Sequence, residues 1–179
     1  MASDGAPKLT PLNLKGWIDE HRDLLKPPVG NVQVWKDTEF IVMVIGGPNQ
    51  RTDFHDDPIE EVFFQLEGDM VLRIVEDGKL KDIPIREGEM LMLPPHVPQR
   101  PAGSIGMVIE RVRPEGMLEA FEWYCESCGQ RHHRREVQVR NIETDMPPVF
   151  DEYYDSEDLR RCGNCGHLNP GRPPKAAAG

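Results

Sequence analysis

Positive charge is what this 179-residue chain has least of: 21 Lys and Arg stand against 31 Asp and Glu, leaving a formal net charge of -10 and a pI near 5.1. A protein that neutralises phosphates needs the opposite balance, so no nucleic-acid partner is expected. A small anionic substrate stays open, provided that a few arginines gather at one place. Long apolar runs are missing too. None approaches the roughly 20 residues of a membrane span, and the N-terminus lacks the charged and apolar regions of a signal peptide. No membrane partner is expected, and the chain reads as soluble and cytoplasmic. Cysteine is scarce, with four in the whole sequence. All four fall in two matching turns, Cys125-Glu126-Ser127-Cys128-Gly129 and Cys162-Gly163-Asn164-Cys165-Gly166. Such spacing suits four thiolates around one tetrahedral ion better than a disulfide framework.

What is present divides into four parts. Residues 1–30 contain one short amphipathic helix, with Leu14, Trp17, Ile18, His21 and Leu24/Leu25 at helical spacing behind an Asn13 cap and before a Lys26-Pro27-Pro28 stop. Residues 31–113 are rich in short β runs: Val32–Trp35, Phe40–Ile45, Val62–Leu66, Met70–Val75, Met90–Leu93 and Gly106–Val112. Turn signals at Gly46-Gly47-Pro48, Glu67-Gly68-Asp69, Asp77-Gly78 and Glu87-Gly88 separate them. Many short strands with regular turns predict an all-β sandwich or small barrel. Residues 114–169 carry the cysteine turns and some extended segments, and 170–179 form a Pro/Ala tail expected to be disordered.

The β-rich part holds a second metal-binding pattern. His55 and Glu61 are placed to end one strand and open the next, so an imidazole and a carboxylate can converge on one cation, and iron(II) accepts both. Each has a plainer reading: His55 lies among Asp53, Asp56 and Asp57 and could be an exposed loop histidine, and Glu61 could be an edge charge. Glu61 nevertheless opens the apolar run Val62-Phe63-Phe64, where an unpaired carboxylate is costly unless a cation compensates. Glu110 interrupts Met107-Val108-Ile109 and Val112 in the same way, so a buried partner is expected. Arg51 and Arg100 taken singly read as surface arginines, and His132-His133-Arg134-Arg135 as a solvated run.

Taken together, Gly47, Asp53, His55, Glu61 and Gly68 resemble the first cupin motif at its usual spacing, and Gly88 with Pro94 resembles the second. The longer pattern, from Gly46-Gly47-Pro48-Asn49 through Arg51, His55 and Glu61 to Pro98-Gln99-Arg100-Pro101, Val108-Ile109-Glu110-Arg111 and Phe121-Glu122-Trp123-Tyr124-Cys125, is similar to the 3-hydroxyanthranilate 3,4-dioxygenase family. The likeness runs from about Trp17 to Gly171. It extends to the bacterial type of that family, which also carries a C-terminal four-cysteine iron site. It implies a cupin-type jelly-roll barrel with a rubredoxin-like C-terminal segment, and a homodimer. It further implies Fe(II)-dependent insertion of both atoms of O2 into 3-hydroxyanthranilate, giving 2-amino-3-carboxymuconate semialdehyde, which cyclises to quinolinate on the kynurenine route to NAD. By position it makes His55 and Glu61 iron ligands, Arg51 and Arg100 holders of substrate or oxygen, and Glu110 a substrate contact. Cys125, Cys128, Cys162 and Cys165 would bind Fe, with Zn sharing the same tetrahedral geometry.

One segment departs from the family pattern. Where that pattern reads Pro-His-x-Pro-His-Ser-Pro-Gln-Arg, this chain has Pro94-Pro95-His96-Val97-Pro98-Gln99-Arg100, about three residues shorter. Counting back from Arg100 makes His96 the third iron ligand, whereas counting forward from Pro94 puts Gln99 in that place. The counts differ by an odd number, and in extended backbone an odd shift turns a side chain to the opposite face.

Overall fold

The computed structural model describes residues 10–26, 30–49 and 51–172. The expected stop at Pro27-Pro28 and the tail beyond residue 172 lie outside them. Helix α1 (Leu14–His21) starts where the sequence predicts, with the Asn13 side chain accepting a hydrogen bond from the Gly16 amide at 3.2 Å, which satisfies one of the free donors of the first turn. A 3-10 turn over Arg22–Leu25 continues it. Ile18 and Leu25 are buried together with Val44 of the barrel, so this lead-in is fixed by packing on its apolar face.

Nine strands follow among the described residues: β1 (Gly30–Gln33), β2 (Phe40–Gly46), β3 (Phe54–Asp56), β4 (Glu61–Glu76), β5 (Lys79–Ile85), β6 (Met90–Leu93), β7 (Gln99–Arg111), β8 (Glu119–Tyr124) and β9 (Arg131–Val137). All named pairings are antiparallel, along the path β1-β2-β7-β3-β8-β9, with β4 paired to β5, β6 and β7. The interior is closed by Phe63, Leu72, Ile74, Ile85, Leu93 and Val108.

The Glu67-Gly68-Asp69 signal does not break the chain into two strands as expected. β4 runs through it with two register shifts against β7, between Gln65 and Met70. Buried positions are odd before the irregularity (Glu61, Phe63, Gln65) and even after it (Met70, Leu72, Ile74). A bulge inserts residues without ending the strand, and Gly68, at φ 62°, supplies the left-handed backbone that it needs. β7 likewise begins at Gln99, well before the expected Gly106.

The expected boundary at 113/114 falls between β7 and β8, and β8 pairs directly with β3 of the barrel. Helix α2 (Ile142–Tyr154), in a part of the chain where the sequence predicts only cysteine turns and some extended segments, covers β8 with Val149, Tyr153 and Tyr154. Trp123 stacks on Tyr153 with ring centroids 4.2 Å apart. Pro147 and Pro148 lie inside this helix. Each removes a backbone donor from the helix, and burial of its aromatic face outweighs that loss. A short helix, α3 (Glu157–Arg160), leads to the second cysteine turn. Among the described residues no helix is long and apolar enough to cross a membrane.

Candidate metal centres and substrate pocket

Strand register assembles a cavity from residues far apart in sequence. His55 on β3 lies opposite Gln99 on β7 and Phe121 on β8, and Glu61 on β4 lies opposite Glu110 on β7. Opposed residues share a face, and long side chains also reach diagonal neighbours two residues away. Glu119, two before Phe121, therefore joins His55. The cavity is lined by these residues together with Arg51, Arg100 and Arg113.

Four carboxylates cluster here almost fully buried: Glu61, Glu110 and Glu119, which line the cavity, and Asp57 behind them, at 4%, 5%, 3% and 2% exposure. Arg113 is their main counter-charge. Its guanidinium pairs with Asp57, lies 3.2 Å from a Glu110 oxygen and places Nε 3.1 Å from Glu119 Oε1. His55 Nε2 lies 2.7 Å from Glu119 Oε2 and 3.8 Å from Asp57 Oδ2. Gln99 Nε2 donates to both Glu61 oxygens at 3.3 Å.

Around Arg113 and His55 these four buried acids face one guanidinium and one imidazole, Arg51 being paired with Asp53 and Arg100 bonded to the Thr52 carbonyl, so positive charge is locally short even with the imidazole protonated. Burial pushes the Glu61 carboxyl up to about 8, against the pull of the His55 charge. Burial alone would depress the His55 ring, but its hydrogen bond to Glu119 and the charges of Glu61 and Asp57 raise it to about 9. Burial also raises Glu110, although Arg113 opposes the shift. The cluster thus draws in positive charge, as a divalent cation would supply it. Ligand-capable atoms of His55, Asp57 and Glu119 lie within 4.8 Å of one another, as do those of Asp57, Glu61 and Glu110. Imidazole and carboxylate donors fit iron(II).

His96 is not brought to this cavity. It sits in the turn between β6 and β7 at φ 61°, with its side chain 66% exposed and Nδ1 3.2 Å from Asp56 Oδ1. Its backbone N–H donates to the Asp57 carbonyl at 2.8 Å. The physical reason is register: Gln99 is locked opposite His55, and five residues between β6 and β7 leave His96 on the outside of the turn. Of the two counts, the structure follows the one from Pro94 and puts Gln99 inside.

The arginines differ in their partners. Arg51 is committed to Asp53, with Nε 2.9 Å from Oδ1, and lies over the Phe150 ring at 4.3 Å. Arg100 donates Nη1 to the Thr52 carbonyl at 3.0 Å and lies 4.8 Å over Phe54, without a carboxylate partner among the described residues. Burial, and then the Arg73 charge, lower its pKa from the usual guanidinium range. It is a cation in want of an anion.

The second centre is built differently. Cys125 and Cys165 have Sγ atoms 3.6 Å apart, and Cys128 and Cys162 3.7 Å. A disulfide would bring sulfurs to about 2.05 Å, whereas four thiolates at about 2.3 Å from a central ion are separated by about 3.8 Å. The two turns repeat one bonding pattern: the Gly129 amide to the Cys125 carbonyl and the Gly166 amide to the Cys162 carbonyl, both at 2.8 Å. Gly129 and Gly166 have φ of 72° and 75°, which explains the glycine after each second cysteine. Amide donation from Gln130, then from the Asn164 side chain, lowers the Cys128 thiol, and burial raises that of Cys125. Buried Asn169 ties the turns together, accepting from the Glu126 amide at 3.2 Å and donating to the Tyr124 carbonyl at 3.0 Å.

Asp57, Arg113, Glu119 and Asn169 escape a reading of the sequence. Only Arg113 had a signal, since Glu110 called for a buried partner and Arg113 is that partner.

The model of the family described as 3-hydroxyanthranilic acid dioxygenase matches residues 7–154. The 3-hydroxyanthranilate 3,4-dioxygenase of Shewanella woodyi is 58% identical over 171 residues, 93% of this chain and 90% of its own. That of Burkholderia lata is 58% identical over 167 residues, 91% and 96% of the two chains. A solved cupin-2 domain protein from Shewanella frigidimarina covers 53% of this chain and 92% of its own, at 17% identity and a TM-score of 0.44. With the matched span reaching across the cavity and the relatives covering nearly the whole length, the chain belongs to the 3-hydroxyanthranilic acid dioxygenase family.

Proposed function

We propose that this chain is an iron(II)-dependent 3-hydroxyanthranilate 3,4-dioxygenase. The observation that carries the reading is Arg100: a largely buried guanidinium lining the same cavity as His55 and Glu61, with no carboxylate of its own among the described residues. The substrate is an aromatic acid, and arginine's planar fork matches a carboxylate. Glu110, held by Arg113, lines the same cavity and offers an acceptor to a ring hydroxyl or amine. Arg51, fixed by Asp53 and Phe150, lines the cavity and is read as a donor toward dioxygen. His55 and Glu61 would hold iron(II), which when bound would supply the open-shell electrons that let triplet O2 react with a closed-shell ring. Both oxygen atoms enter the product as one ring C–C bond breaks, so no external reductant is required.

The four-cysteine centre is read as structural and iron-bound, with zinc the alternative for the same geometry. The chain is read as a cytoplasmic homodimer. Met90 and Met92, exposed on β6, offer an apolar strip in support of the pairing.

Chelator-stripped protein reloaded anaerobically with iron(II) and mixed with 3-hydroxyanthranilate in air tests the activity through the near-ultraviolet absorbance of the product. Arg100→Ala should raise KM sharply, since truncating one partner of a buried charge pair costs about 2–5 kcal/mol. An Arg100→Ala enzyme that binds substrate as tightly as the parent would remove Arg100 from the site. Substrate binding without product would mark a silent binder.

A further inference from the structure

We propose that Glu119 joins His55 as a protein ligand of the pocket metal, in place of the imidazole that the shortened β6–β7 turn does not provide. This rests on the metal reading above.

Glu119 Oε2 lies 2.7 Å from His55 Nε2, and both side chains face the cavity. Two donors at about 2.0–2.2 Å from one ion, at right angles, are about 3 Å apart, so a small outward adjustment admits a cation between them. The other Glu119 oxygen faces Arg113 Nε at 3.1 Å, which fixes the carboxylate while leaving Oε2 for the cavity. An independent observation points to a ligand in the same place: Gln99, 5% exposed, lines the cavity with an Oε1 that has no hydrogen-bond partner among the described residues. Its Nε2 is spent on Glu61, and so orients that carboxylate. Register explains why Glu119 is available. It is diagonal to His55 across the β3–β8 pairing, where a side chain of glutamate's length reaches. Exchange of an imidazole for a carboxylate makes the donor set harder, favouring Mn(II) and Fe(II) over softer ions.

The test uses the full chain with its cysteine centre filled and its pocket stripped, titrated with Mn(II) under calorimetry and electron paramagnetic resonance. Glu119→Gln, which keeps the side-chain shape, should weaken Mn(II) at least tenfold. His55→Ala should do so at least as strongly. Retention of the cysteine-bound ion reports that each variant is folded. A crystal structure of the Mn(II) form should place a Glu119 oxygen within about 2.6 Å of the ion. A loss under tenfold in Glu119→Gln, with His55→Ala still depleted, overturns Glu119 and leaves the pocket metal standing. A weakened Glu119→Gln whose wild-type crystal shows the carboxylate out of bonding distance also overturns it, because outer partners alone cost about 10–100-fold. Parent protein that takes up no Mn(II) or Fe(II) in the pocket, or takes it up equally well as His55→Ala, overturns the metal reading itself.

Discussion

The two metal centres are specified at different ranges of the chain. The cysteine centre is two copies of one local turn, each setting its own pair of thiolates through a glycine and two backbone hydrogen bonds. The pocket has no local unit: His55, Glu61, Gln99, Glu110 and Glu119 come from four strands and converge only when the register is right. A local turn carries its chemistry wherever it goes, so its spacing is visible in the sequence. A register-built site tolerates replacement of one donor by another residue on the same face, so its members are hard to name in advance.

The comparison can be broken most forcefully at the cysteines. Cys125→Ser combined with Cys128→Ser should release one ion and cost several kcal/mol, since bound metal contributes directly to folding. At about 2–4 °C per kcal/mol for a chain of this size, melting should fall by roughly ten degrees or more. Pocket affinity for Mn(II) should change little, and ring cleavage should stay detectable with added iron(II). A matching collapse of pocket affinity in a folded variant would make the two centres one cooperative unit. A smaller effect comes from Asn169→Ala, which strands the Glu126 amide and the Tyr124 carbonyl. A loss of about 1–3 kcal/mol is expected, with faster surrender of the cysteine-bound ion to a chelator. Unaltered release would show that the two turns hold together without Asn169. The smallest effect belongs to His96. Its left-handed backbone is strained, so His96→Gly should leave stability within about 1 kcal/mol of the parent, or improve it. Pocket affinity for Mn(II) should not move. Loss of the ion in that variant would return His96 to the ligand set.

Much of the architecture was legible because local chemistry announced it. Asn13 capped the helix as predicted, and the apolar runs became strands. The likeness carried by Arg51, His55, Glu61 and Arg100 named the family. What stayed hidden depended on tertiary competition. Gly68 reads as a turn until β7 is there to absorb a bulge, and helix α2, with Pro147 and Pro148 inside it, has no counterpart among the predicted elements until Tyr153 stacks on Trp123. The two counts for the third ligand could not be settled by sequence, because the deciding fact is the pairing of His55 with Gln99. Glu119 was invisible for the same reason: 64 residues separate it from His55, and nothing in Glu119-Ala120-Phe121 distinguishes a cavity-facing acid from a strand edge.

Strand β8 also dictates where this chain can change its length. It is hydrogen-bonded on both sides, to β3 and β9, and five of its six residues are buried. One residue gained or lost between Glu119 and Cys125 would turn Glu119 and Phe121 to the other face while both cysteine turns kept their spacing. The turn between Leu93 and Gln99 is held by two backbone hydrogen bonds, from His96 to Asp57 and from Val75 to Pro98, rather than by a strand on each side, so it can shed residues while the flanking strands keep their partners. Drift in length is therefore free to gather at the rim of the pocket, and each such event renegotiates which side chain meets the metal without touching the frame that holds it.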